Sequence, residues 1–179
     1  MRIIDFLSNV QFRFQRVCRL LKVNRLSEIV WDDLIKMLEK QGQDFGRDDN
    51  QKSIEMTFSN SDESSMKLYH EIGTKKLEFK AVLLSNFETR NTHDIMILSS
   101  YINNLLNFGM VRVDTINNCV QFVYSGDLLL YFLYPIEKLD DMIKHIEVAK
   151  ECHWAFMYML DKGNDPAFVI AEFLKRNDQ

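Results

Sequence analysis

The hydrophobic pattern in the first half of the chain alternates with a period of two. Apolar side chains occupy every second position through residues 54–58. Met66, Leu68, His70 and Ile72 then alternate with polar neighbours, and the polar stretch 60–65 separates the two runs. A third run follows at residues 77–84. Strict alternation is typical of strands that bury one face, and the polar stretch between them is typical of a turn. The pattern therefore predicts a three-stranded antiparallel meander.

Elsewhere the apolar residues recur at intervals of three and four, which predicts helices. Ser27 is a plausible N-cap for a helix that ends at Gly42, and Asn91 or Thr92 caps a helix that ends before Gly109. The other predicted helices are a basic amphipathic helix at residues 1–22, a long helix from Leu139 to Gly163 and a short helix that begins at Pro166.

Two more strands are expected between these helices. Residues 110–116 lead into the pair Asn117-Asn118, which suits a hairpin turn, and residues 119–134 form the returning strand. Residues 128–134 are apolar or aromatic at odd and even positions alike, so a strand there must bury both of its faces. This interpretation predicts a sheet that needs a second covering layer.

The predicted element order is α-α-β-β-β-α-β-β-α-α. Strands grouped in antiparallel meanders and hairpins, with helices packed on them, indicate an α+β fold with two layers. The expected division is an N-terminal helix over residues 1–24, an α+β domain over residues 25–162 and a short C-terminal helix over residues 163–179.

Composition agrees with a globular domain and limits its partners. The 179 residues are 46% hydrophobic and carry a net charge of −4, yet residues 1–26 hold six Arg or Lys and one Asp, which leaves −9 for the remainder. Binding to nucleic-acid phosphates needs clustered cations, so an acidic body argues against a nucleic-acid partner. The three widely spaced cysteines predict no disulfide scaffold and favour a cytoplasmic location. Asp5, Ser8 and Asn9 interrupt any signal-peptide core.

Catalytic signatures are not found in the sequence. It contains no GxGxxG, Walker A, HExxH or GxSxG motif, and the acidic stretch 44–50 lacks the spacing of a calcium loop. Asp141 and His145 are four residues apart without a further expected ligand, so no metal or cofactor is predicted. A small hydrolase or transferase that uses His145, Cys152 or His153 remains an alternative, although their helical spacing does not bring them together.

The apolar faces that lack an evident cover are the predicted partner-binding surface. Three interpretations stay open: the N-terminal helix completes its own core, a second copy forms a homodimer, or a client protein segment binds. A fourth places the basic, apolar N-terminal helix on an anionic membrane surface. The predicted partner-binding residues are Ile3, Leu7, Val10, Phe14, Val17, Leu21, Leu129, Tyr131 and Leu133.

The passage INNLLNFG at residues 102–109, with the strands at 110–114 and 119–130 and the helix from Leu139, resembles the second half of the YbjN-like family of candidate bacterial sensory-transduction regulators. The resemblance spans residues 34–160. It implies a fold similar to that of type III secretion chaperones, in which the sheet and helix surfaces bind extended client segments and dimerise. It also implies a non-catalytic module, and it transfers no functional residue to this chain.

Overall fold

The computed structural model describes residues 11–18, 25–59 and 65–177. Helix α1 covers the described residues 11–18. The other helices are α2 (Leu26–Lys40), α3 (Thr92–Leu105), α4 (Leu128–Leu133), α5 (Pro135–Lys162) and α6 (Pro166–Asn177). The strands are β1 (Gly46–Asp48), β2 (Ser53–Ser59), β3 (Ser65–Ile72), β4 (Lys76–Leu84), β5 (Met110–Asp114) and β6 (Cys119–Asp127), and a 3₁₀ turn at Thr89–Asn91 precedes α3.

The strands form one six-stranded antiparallel sheet in the order β1-β2-β3-β4-β6-β5. Together with the helices it confirms the predicted α+β fold class and the predicted order of the meander and hairpin. The short edge strand β1 is an addition to the three-stranded meander that the sequence predicts. All three of its residues are exposed, so it carries no hydrophobic signal and is held by backbone pairing to β2.

One face of the sheet forms the core, and α5 packs across it. Phe79 on β4 contacts the His145 ring of α5, with the ring centroids 6.0 Å apart. Alternate residues of each central strand point to this face, because successive side chains in a strand point to opposite sides. The fully buried members are Ile54, Leu68, Leu77, Phe79, Ala81, Val120 and Phe122.

The opposite face of the sheet is charged. Lys67 pairs with Glu55 at 3.1 Å between Nζ and Oε1, and Lys80 pairs with Glu71 at 2.8 Å between Nζ and Oε2. These side chains belong to the alternate positions of β2, β3 and β4. The prediction of a sheet that is apolar on both faces is therefore wrong, since this face is covered with paired charges.

The apolar run at residues 128–134 was predicted to continue the last strand, and that prediction is wrong. Residues Leu128–Leu133 form helix α4. The Asp127 carboxylate accepts a hydrogen bond from the Leu129 backbone N–H at 2.8 Å, which caps the helix start. A short apolar run suits a buried strand and a buried helical turn equally well, and the N-cap decides between them.

Candidate interaction surface on helices α1 and α4

Helix α1 is held against the domain by its basic side. Arg16 is only 8% exposed, and its Nη1 lies 2.6 Å from Oδ2 of Asp33 on α2. Its Nε also donates to the carbonyl oxygen of Phe132 in α4. Arg13 stacks on the Tyr134 ring with its guanidinium carbon 4.5 Å from the ring centroid. These contacts fix α1 to α2 and α4.

The apolar side of α1 faces away from those contacts. Phe14 is 68% exposed and Val17 is 42% exposed. Successive helical residues turn by about 100°, so Phe14 points roughly 160° away from Arg16, and Val17 lies between the directions of Phe14 and Arg13. The structure therefore places two predicted partner-binding residues at the surface. The predicted residues Ile3, Leu7, Val10 and Leu21 lie outside the described residues.

Helix α4 carries two further exposed leucines. Leu129 and Leu130 are both nearly half exposed, whereas Leu133 is half-buried. Tyr131 is buried, because residues at i, i+3 and i+4 of a helix share one face and Leu128, Tyr131 and Phe132 turn inward. Burial also raises the pKa of the Tyr131 hydroxyl. The placement of Leu129, Tyr131 and Leu133 together on a sheet face is accordingly wrong, and of the three only Leu129 is exposed.

The titratable groups of α5 were the sequence-based alternative for catalysis. His145 is packed among aromatic rings, with its centroid 3.9 Å from that of Tyr124 and 4.9 Å from that of Phe108. Burial lowers the pKa of His145 to about 4; the nearby Asp141 carboxylate opposes this shift, and Lys138 and Lys144 add to it. The ring is enclosed, at 3% exposure, and its neutral form is favoured near pH 7.

Cys152 and His153 do not form a reactive pair either. Burial raises the pKa of the Cys152 thiol to about 12, which leaves it protonated and poorly nucleophilic. His153 donates from Nδ1 to the Leu83 carbonyl oxygen at 2.7 Å and so joins α5 to β4. Both groups serve the packing of α5 on the sheet.

Asp141, the partner considered for a metal at His145, is engaged by lysines. The Nζ atom of Lys138 lies 2.8 Å from Asp141 Oδ2, and the Nζ atom of Lys144 lies 3.6 Å from Asp141 Oδ1. The hydrogen bond from Lys138 is the main cause of the lowered pKa of Asp141. Within residues 11–18, 25–59 and 65–177, no three His, Cys, Asp or Glu side chains converge as metal ligands. In the same residues no helix combines the length and hydropathy needed to cross a bilayer.

Comparison with known proteins supports the fold. No protein-family model matches the chain, and no curated protein matches it either. Among solved structures it is similar to the crystal structure of YbjN from E. coli, described as a candidate transcription regulator, with a TM-score of 0.52 and 13% identity. The match covers 72% of this chain and 92% of that chain. The YbjN-like fold predicted from the sequence is thus confirmed.

Proposed function

We propose that this protein is a non-enzymatic regulatory module that dimerises through the exposed apolar side of α1. The observation that carries the proposal is the position of Phe14 on a helix whose opposite, basic side is fixed to the domain. A helix that only completed its own core would turn its phenylalanine inward and leave its arginines in water. Here the arrangement is reversed.

The exposed groups form a surface that gains free energy when it is covered. A phenylalanine buries on the order of 150 Å² or more, so covering Phe14 contributes about 2–3 kcal/mol on one protomer. In a two-fold dimer the same patch is used twice, so each contact is repeated. Val17, three residues further along α1, extends the apolar area.

A second copy of the chain is the occupant that the charges favour. Residues 1–26 carry net +5 and the remaining residues carry −9. Each protomer therefore carries both a basic segment and an acidic body, and opposite potentials speed association and fix its orientation. A client protein segment is the other occupant, and it becomes an outcome of the test.

The non-enzymatic part of the proposal is supported by the groups of α5. The thiol of Cys152 is held protonated and the ring of His145 is held neutral, both by burial. The description of YbjN as a candidate regulator agrees with a regulatory role here. A nucleic-acid partner is not supported, because Lys67 and Lys80 on the open sheet face are already paired with glutamates.

A membrane-surface role is also less well supported than dimerisation. It needs the arginines of α1 to meet anionic lipid headgroups. Arg16 is buried against Asp33, and Arg13 lies on the Tyr134 ring. Arg16 is therefore withdrawn from any lipid surface, whereas Arg13 is exposed but already in contact with a ring of the protein.

Light scattering coupled to size-exclusion chromatography tests the proposal. The full chain is expected to elute with the mass of a dimer at tens of micromolar, and Phe14→Asp is expected to convert it to a monomer with an unchanged circular-dichroism spectrum. Ile116→Asp is the matched control, because Ile116 is 90% exposed in the turn between β5 and β6 and should leave the dimer intact. Point variants are preferable to deletion of residues 1–24, which also removes Arg16 from its buried pair.

A monomeric full chain, or a dimer that Phe14→Asp leaves unchanged, would overturn dimerisation through α1. If the chain does not associate with itself but forms a complex with an added client protein, the α1 surface binds that client and not a second copy.

A further inference from the structure

A groove of about 390 Å³ lies between the C-terminal end of α2, strands β2 and β3, and α5. It is separate from the α1 surface and belongs to no role described above. Its buried floor and half-buried walls are apolar except for one histidine, whereas its rim is polar. The lining consists of Met37, Leu38, Gln41, Gln43, Met56, Phe58, His70, Met142, Ile143, Ile146, Glu147 and Lys150.

His70 is the polar group on the floor of this groove. Its side chain is fully buried, and neither ring nitrogen has a hydrogen-bond partner among the residues that the structure describes. Burial lowers the pKa of His70 to about 3, so the ring is neutral near pH 7. A neutral imidazole carries one donor and one acceptor nitrogen, and a buried polar atom left unpaired costs on the order of 1–3 kcal/mol.

The walls around His70 suit an apolar body. Met37, Met56 and Met142 line the groove, and methionine side chains repack around ligands of irregular shape because they are flexible and polarizable. The volume falls within the range of small-molecule sites, which typically combine apolar walls with a few placed polar groups. A hydroxyl group matches a neutral imidazole because it also donates and accepts.

The rim indicates that the ligand carries no net charge. Glu147 and Lys150 contribute one charge of each sign, and the other polar rim residues, Gln41 and Gln43, are neutral amides. The Lys150 ammonium also lies 4.7 Å from the centroid of the Phe58 ring, which is a cation–π contact within the protein. The ammonium at this rim is therefore engaged by a ring of the protein, and a carboxylate ligand would also meet the like charge of Glu147.

We propose that this groove binds an uncharged amphipathic small molecule, with its hydroxyl group hydrogen-bonded to His70 and its apolar body against the three methionines. The inference goes beyond dimerisation and does not depend on it, because no residue of α1 or α4 lines the groove. Binding of such a ligand replaces a missing hydrogen bond on the floor and covers apolar surface on the walls.

The test uses 1-octanol as the probe, with octanoate as the charged comparison. Titration followed by ¹H–¹⁵N correlation spectra is expected to show saturable binding of 1-octanol, with shifts at His70 and along α5, and at least tenfold weaker binding of octanoate. His70→Leu keeps the side-chain volume roughly similar and is expected to weaken 1-octanol binding at least tenfold.

His145→Phe is the matched control, because it also removes a buried imidazole at the interface of α5 and the sheet but lies outside the groove. It should leave the affinity for 1-octanol within twofold. Ile143→Trp fills the groove from its partly exposed wall and should abolish binding in a folded protein. Thermal unfolding of each variant checks that loss of binding is not loss of fold.

Three results would overturn the proposal: 1-octanol shows no saturable binding, it binds equally well to His70→Leu, or a crystal grown with 1-octanol shows only a water molecule at His70.

Discussion

Arg16 and Asp33 join α1 to α2 through an ion pair of 2.6 Å that is largely closed to solvent. The same guanidinium reaches the last turn of α4 through the Phe132 carbonyl and lies 4.8 Å from the centroid of the Phe132 ring. One side chain thus connects three helices. The exposed face of α1 is oriented by this contact, since the arginine side cannot turn outward without leaving a buried charge unpaired.

The first prediction concerns the stability of this connection. Asp33→Asn removes the charge that compensates Arg16, and it is expected to lower the free energy of unfolding by roughly 1.5–3 kcal/mol. Glu88→Gln is the control, because the Arg90–Glu88 pair has the same distance of 2.6 Å but is well exposed. An exposed pair contributes only about 0.5 kcal/mol. Urea unfolding measures both, and equal losses would contradict the role of burial.

A second prediction separates backbone strain from steric fit at two glycines. Gly109 and Gly163 both have positive φ, at 69° and 62°. A Cβ on Gly163 meets nothing within 4 Å, whereas a Cβ on Gly109 lies 2.5 Å from the Phe122 ring. Gly163→Ala should cost about 1–2 kcal/mol from conformation alone. Gly109→Ala should cost a further 1–3 kcal/mol or so from overpacking.

Thermal or urea unfolding of the two alanine variants checks this difference. Phe122 is fully buried on β6, between β4 and β5, so it has little space to move aside. If both variants lose the same stability, the close approach of Gly109 to Phe122 is not maintained in solution.

The fold could be predicted from the sequence where the strands bury only one face, because that burial makes apolar and polar side chains alternate. In β3 the residues Met66, Leu68, His70 and Ile72 are buried in turn, and the period of two reports this directly. The same rule failed at Leu128–Leu133, where odd and even positions are both apolar. Such a run shows neither the period of a strand nor that of a helix, so the sequence pattern does not distinguish the two. The useful signal was Asp127, an N-cap residue just before an i, i+3, i+4 pattern of buried positions.

The candidate sites were less predictable because they depend on contacts between distant residues. The stripe that includes Phe14 is visible in the sequence, but its outward orientation depends on Arg16 finding Asp33, a pairing that no periodicity encodes. His70 occupies a buried position in the alternation of β3. Its place on the floor of a groove depends on how α2 and α5 approach β2 and β3.

The third prediction is a loss of stability in mild acid. Burial lowers the pKa of His70 to about 3 and that of His145 to about 4, whereas an unfolded histidine titrates near 6.5. Between these values the unfolded chain binds protons that the folded chain does not. Stability is therefore full above about pH 6.5 and falls as the pH drops toward 4, by up to about 1.4 kcal/mol per pH unit for each histidine.

Urea midpoints measured at pH 7.5 and pH 5 check this dependence. The double variant His70→Leu/His145→Phe should flatten it, and His93→Gln, at an exposed position of α3, should not change it. Should the double variant keep the slope of the native protein, the two buried rings are not the source of the acid sensitivity.

The last prediction distinguishes the three thiols by their reaction with iodoacetamide at pH 8. Cys152 is fully buried and its thiol pKa is raised to about 12, so it should remain unmodified while the protein is folded. Cys18 is partly exposed and should react first, and Cys119 should react more slowly because partial burial raises its pKa. Peptide mass spectrometry over time gives each rate, and unfolding in urea should make the three rates similar. Modification of Cys152 in the folded protein as fast as that of Cys18 would reveal an activated thiol on α5, and it would restore the catalytic alternative.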